Sequence, residues 1–289
     1  FFCCEGAQNE QLFGTAVRAH VWLLLEYREP FASDALAASH IPAEVKTHLA
    51  TVPNARTQLI RQSQRTGDLK FFMAITHETE SRMYAFNLSS YQALLKLNLL
   101  TLVAGESGSD VHLSREKLYL VCTNGERDIA CSRFGMPVLM ALTNLRGDRV
   151  WQTNHLGGHR FAATAAILPR GVCYGRISAD QVDRLVASDD RDQVMIANLR
   201  GMAYYDDIAN AAAYFLRVQS GETAIAAYRL EQVAETAPNT WAVTFVGRAG
   251  EVYTVALARD ASVETYKNST DTKPVSVSQF RLISATQSV

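Results

Sequence analysis

The sequence predicts a mixed α/β fold in which one β-α-β-β-α unit occurs twice, followed by a C-terminal α+β domain with a small antiparallel sheet. Three observations predict it. Strand-length apolar runs alternate with helix signals through the first two thirds of the chain. Two of those helices share a Ser-x-x-Gln start, Ser89/Gln92 and Ser178/Gln181, within element orders that repeat at an offset of roughly 90–95 residues. The remaining third holds one amphipathic helix and then a run of strands.

The elements follow in order. VWLLLEY (21–27) is a buried strand, and Pro42 opens a helix over 42–52 because its fixed φ and missing N–H suit a first turn. RTQLIRQ (56–62) and LKFFMAIT (69–76) are strands around a turn at Thr66-Gly67-Asp68, and a helix starts near Ser89. In the second unit LYLVCT (118–123) is a strand. A helix lies within 132–146, with Val138, Leu139, Leu142 and Leu145 at helical spacing, Pro137 early in it or kinking it, and Gly147 at its end. VWQTN (150–154) is a strand, 161–177 holds two short strands or a hairpin turning at Pro169-Arg170-Gly171, and a helix begins at Ser178. In the last third, 206–221 is an amphipathic helix capped by Asp206 or Asp207 and stopped by Gly221. Strands follow at 224–230, 241–247, 251–258 and 278–284, with a polar loop over 260–275. The domain divisions are 1–106, 107–192 and 193–289. The repeated order is the one a thioredoxin-like domain shows from its central strand pair onward, so a duplicated thioredoxin-like domain is expected.

Composition narrows the function. The chain has 289 residues, 48% hydrophobic and 20% charged, as a globular chain with two or three cores would have. A net charge of -1 without a basic tract speaks against nucleic acid and against an anionic membrane surface. The most apolar runs, 21–27 and 94–104, are too short or carry Lys96 and Asn98, so no membrane span is expected. FFCCEGAQNE lacks the basic start and apolar core of a secretory signal. Five cysteines are too few and too scattered for a disulfide scaffold, which points to a reducing compartment, the cytoplasm. There is no P-loop and no Gly-x-Gly-x-x-Gly, and GESGS (105–109) ends in Ser109 where a nucleophile elbow needs Gly.

The chemistry concentrates in the second unit. Cys122 ends a strand, Cys131 follows after eight residues at the mouth of a helix, and His155 and His159 sit in HLGGHRF just after the next strand. Parallel neighbours in a βαβ layout would bring all four to one edge of the sheet. Two thiolates and two imidazoles suit zinc or a Rieske-like iron–sulfur centre. Zinc fingers keep their cysteines two to four residues apart, whereas this wider gap suits a two-iron object. HLGGH lacks the Glu of a zinc-protease helix, and its Gly pair would break one. Gly157 and Gly158 fit a tight loop whose N–H groups can approach a cofactor, or simply turn the chain. Arg160 is placed either to favour a reduced centre or to pair with a nearby carboxylate.

These residues, VCTNGERDIAC and then WQTNHLGGHRFAATAAILPRGVCYGRI, resemble the sucrase/ferredoxin-like family of thioredoxin-like ferredoxins. The stretch GTAVRAHVWLLLEY with Cys3, and LRGMAYYDD with its helix, resemble further parts of that family. The resemblance implies a 2Fe-2S cluster with Cys122 and Cys131 on one iron and His155 and His159 on the other. It also leads one to expect a Cys near Lys267-Asn268-Ser269, where this chain has none. No acidic pair stands out as a glycosidase dyad.

The expected function is therefore an electron carrier or redox sensor with an unidentified redox partner protein, rather than a catalyst. The alternatives are a zinc-stabilised binding module and a thiol-based regulator using Cys3 and Cys4. Cys173 reads as core. His20, His40, His48, His77 and His112 read as structural or surface residues. The first unit, without paired Cys or His, is expected to carry no site.

Overall fold

The computed structural model describes residues 2–63, 66–106 and 108–288; Ser107, within the GESGS stretch, lies outside them. The chain opens with one helical turn, α1 (Cys3–Gly6), and an extended arm that leads to β1 (Val21–Glu26). β1 is buried along its whole length, as the unbroken VWLLL run requires of a strand covered on both faces. Two short helices, α2 (Ala35–Ala38) and α3 (Ala43–Leu49), carry the chain to β2 (Ala55–Arg61), which pairs parallel to β1. β3 (Leu69–Ile75) pairs antiparallel to the other edge of β1, and β4 (Arg82–Leu88) pairs antiparallel to β3. α4 (Leu99–Ala104) and the two-residue β5 (Leu113–Ser114) complete this half.

The second half repeats the pattern. β6 (Leu118–Cys122) leads through α5 (Ile129–Arg146) to β7 (Val150–Thr153), parallel to β6. β8 (Ala165–Leu168) pairs antiparallel to β6, and β9 (Val172–Tyr174) pairs antiparallel to β8. After α6 (Val182–Asp190), β10 (Leu199–Met202) adds to β9. β2 and β7 join the halves antiparallel, Ile60 opposite Thr153, so ten strands form one sheet in the order β10-β9-β8-β6-β7-β2-β1-β3-β4-β5. One core layer draws on both halves, packing Trp22, Phe72 and Trp151 with Cys122, Cys131 and Cys173.

α7 (Asp207–Ser220) follows. Asp206 caps it, accepting from the Ala209 N–H at 2.7 Å, and Gly221 ends it in the left-handed conformation at φ 72°. The helix packs on a separate antiparallel sheet of β11 (Tyr228–Ala237), β12 (Thr240–Gly247), β13 (Val252–Thr265) and β14 (Val275–Ser288). The mixed α/β class and the separate antiparallel sheet are thus as the sequence predicts. Among the described residues, no helix is long and apolar enough to cross a membrane.

Several elements differ from expectation. The Ser89/Gln92 helix does not form. A 3₁₀ turn spans Tyr91–Lys96, Leu97 turns extended, and Asn98 caps α4 by accepting from the Thr101 N–H at 3.2 Å. β4 was not anticipated. α5 begins at Ile129, not 132, because Asp128 caps it through the Ala130 N–H at 2.9 Å. Pro137 is interior, and Arg133 is exposed, so water can take the carbonyl that Pro137 leaves free. The polar 260–275 stretch is mostly strand at its start: β13 runs to Thr265 and pairs with β14 along a long hairpin.

Candidate metal centre

The parallel pairing of β6 and β7 sets Cys122 opposite Thr153, so the two strand ends lie side by side. Cys122 closes β6, with its N–H held by the Thr164 carbonyl at 3.0 Å. Cys131 sits in the first turn of α5, and both thiols are 1% exposed. A close approach of helix to strand brings them together. A Cβ on Gly135 would lie 2.2 Å from the Cys122 carbonyl oxygen, so any side chain there would push α5 off the end of β6.

After β7, Asn154 fastens the chain to β2 by a pair of bonds to Leu59, its N–H to the carbonyl at 3.1 Å and its Oδ1 from the N–H at 3.2 Å. His155 follows. Gly157 and Gly158 both take positive φ, 87° and 71°, and a Cβ on Gly158 would meet Arg200 and Phe161 below 3.0 Å. Only glycine tolerates that conformation in that space. The turn delivers His159, the first residue of a 3₁₀ turn.

Three of the four predicted donors come together. The ligand atoms of Cys122, Cys131 and His155 lie within 4.8 Å of one another, with Cys131 Sγ 3.9 Å from His155 Nδ1. The rings of His155 and His159 are 5.0 Å apart. His159 falls in a second buried group, with Asp128 and Cys3, whose ligand atoms also lie within 4.8 Å of one another. His159 therefore neighbours the Cys122, Cys131 and His155 group without being part of it.

Electrostatics sets the two thiols apart. The Cys131 thiol donates to Cys122 and, against the cost of burial, pulls Cys122 well below the usual thiol range; His155 adds to the effect. The same contact, with burial, pushes Cys131 up. Burial outweighs the pull of Asp128 and holds His159 below its usual value, hence neutral at pH 7. Its Nε2 lies 2.5 Å from the Lys267 carbonyl and 3.1 Å from Asn268 Oδ1. Both partners accept, so Nε2 carries the proton. Nδ1 is then a lone pair, and it is buried without a partner. A metal-ligating imidazole has this arrangement, with its far nitrogen tied to a backbone carbonyl.

Several contributors were not foreseen. Asp128 caps α5 and also accepts from Ser269 N at 2.8 Å and Ser269 Oγ at 2.7 Å. Burial opposes its charge, but the Ser269 and Ala130 bonds outweigh it and hold the carboxyl below its usual value. The 267–269 segment, where the resemblance leads one to expect a Cys, instead supplies the groups that hold His159 and Asp128. A hydroxyl and an amide acceptor in a polar loop carry no local signal of this. Cys3 and Cys4 are buried rather than frayed, and Cys3 N–H binds Ser269 Oγ at 3.1 Å. Burial pushes both thiols up to about 11, so neither is an activated thiolate. Cys173 is core, and burial raises its thiol. Arg160 pairs bidentately with buried Glu10, Nε and Nη2 each 2.7 Å from a carboxylate oxygen, which is the carboxylate-pairing alternative.

Fold and site together describe a mixed α/β protein in which two buried thiols and a half-buried imidazole gather at the ends of parallel strands, with a second, buried imidazole beside them. A family model described as sucrase/ferredoxin-like matches residues 12–201, and the chain belongs to that family. The match spans both halves of the large sheet and all four predicted donors, but not Cys3, the 267–269 segment or the C-terminal sheet. No curated protein and no solved structure matches the chain.

Proposed function

We propose that the chain holds a 2Fe-2S cluster, with Cys122 and Cys131 on one iron and His155 and His159 on the other, and serves as a one-electron carrier or redox sensor. The observation that carries the reading is the buried Nδ1 of His159, unpartnered while Nε2 is fixed on the Lys267 carbonyl. When bound, such a cluster supplies one-electron exchange at a potential above that of four-thiolate ferredoxins. The chain's own residues do the rest. Asn154 and the Gly157-Gly158 turn aim the imidazoles, Gly135 lets Cys131 reach Cys122, and the 267–269 segment holds His159 and Asp128. The burial of Cys3 and Cys4, which raises both thiols, weighs against the thiol-based alternative.

Zinc is the second reading, because Cys122, Cys131 and His155 are close enough to share one ion without His159. The visible spectrum of anaerobically prepared protein, with iron and zinc counted by mass spectrometry, decides between them. Broad visible bands with two irons per chain are expected. A colourless protein with one zinc, even after reconstitution, would establish the second reading instead.

A further inference from the structure

Two arginines grip the loop that carries the histidines. Arg56, in β2, donates from Nη2 to the His155 carbonyl at 2.9 Å. Arg200, in β10, donates from Nη1 to the Gly157 carbonyl at 2.9 Å, and further to Thr15 Oγ1 at 3.1 Å and the Thr15 carbonyl. Arg200 is only 4% exposed, and Arg56 Nε is buried without a partner. Among the described residues neither pairs with a carboxylate. Arg160, by contrast, is neutralised by Glu10.

Burying an unpaired guanidinium is expensive, and a fold keeps one only where something offsets it. Burial draws both groups below their usual range, Arg200 to about 10, and both remain charged at neutral pH. The negative groups opposing that fall are Cys122 and Cys173. Both guanidiniums are bonded to the loop that carries His155 and His159, so a centre held there is the group their charge acts on. An oxidised 2Fe-2S centre with two thiolates and two neutral imidazoles has no net charge. One electron from a reduced protein partner makes it a unit anion, with no bond made or broken and no proton required. A fixed cation held on the loop that carries the centre stabilises the second state over the first.

We propose that Arg56 and Arg200 are positioning residues that hold the His155–His159 loop and impose a fixed positive field on it, raising the electron affinity of the centre. This rests on the cluster reading above. The test is a spectroelectrochemical titration of the iron-loaded chain and its Arg56→Gln, Arg56→Lys and Arg200→Gln variants. Each Gln variant is expected to keep its visible bands and to shift its reduction equilibrium at least tenfold toward the oxidised form, about 59 mV for a one-electron couple. Arg56→Lys restores the potential, because charge and not the hydrogen-bonding fork sets it. If Arg200→Gln does not fold, Arg56→Gln decides, since its side chain makes fewer bonds. An unchanged potential in a loaded Gln variant, or loss of the cluster from a folded Arg56→Gln chain, would make the arginines structural clamps and overturn the proposal. Absence of iron from the unmodified chain would overturn the cluster reading itself.

Discussion

The two halves of the large sheet share one pattern of strand pairing and differ in what stands at the strand ends. β1 and β6 each pair parallel on one side and antiparallel on the other. β6 ends in Cys122. β1 ends in Glu26, a fully buried carboxylate that accepts from Arg28 Nε at 2.9 Å and the Lys70 N–H at 2.8 Å. The crossover in the second half is the 18-residue α5, whose first turn bears Cys131; in the first half it is two helices of 4 and 7 residues with no thiol. The backbone thus offers the same edge twice, and side chains decide which edge can do chemistry.

The sharpest way to test that contrast is to exchange the strand-end residues for near-isosteres. Cys122→Ser or Cys131→Ser is expected to abolish iron binding, read by metal count. Glu26→Gln is expected to leave the iron content unchanged while lowering stability by roughly 1–3 kcal/mol in a denaturant melt, from the weakened Arg28 pair. Iron loss in the Glu26 variant would mean that the halves are not independent.

Replacing His155 and His159 together by Cys should lower the potential by about several hundred millivolts, toward the plant-type range, with iron retained. An unmoved potential would remove the histidines from the ligand set. Gly135→Ala should cost roughly 1–3 kcal/mol by forcing α5 away from the Cys122 carbonyl, and should reduce iron loading in parallel. The smallest pair compares caps. Asn98→Ala, in the first half, should cost about 1 kcal/mol and leave iron untouched. Asp128→Ala should cost about 2–3 kcal/mol in the metal-free chain, because Ser269 also loses its acceptor. Equal costs would mean that the Ser269 contacts contribute nothing.

What could be read from the sequence follows the range of the interactions. The approach of Cys122, Cys131 and His155 was legible because a βαβ crossover brings strand ends and a helix start together by local geometry. Most strands were legible from apolar runs, and α7 from its cap and stop. β4 was missed because MYAFNL shows no clean alternation, and the Ser89 helix failed because Asn98 offers the better cap a turn later. Asp128, Arg56 and Arg200 gave no signal. Each looks like an ordinary surface charge until chain 141, 99 or 185 residues away folds against it.

His159 is held by a carbonyl 108 residues further along the chain. The ring is therefore oriented by chain that is made last: Cys122, Cys131 and His155 can be brought together by the second half of the large sheet, whereas His159 takes its final orientation only once the β13–β14 hairpin exists.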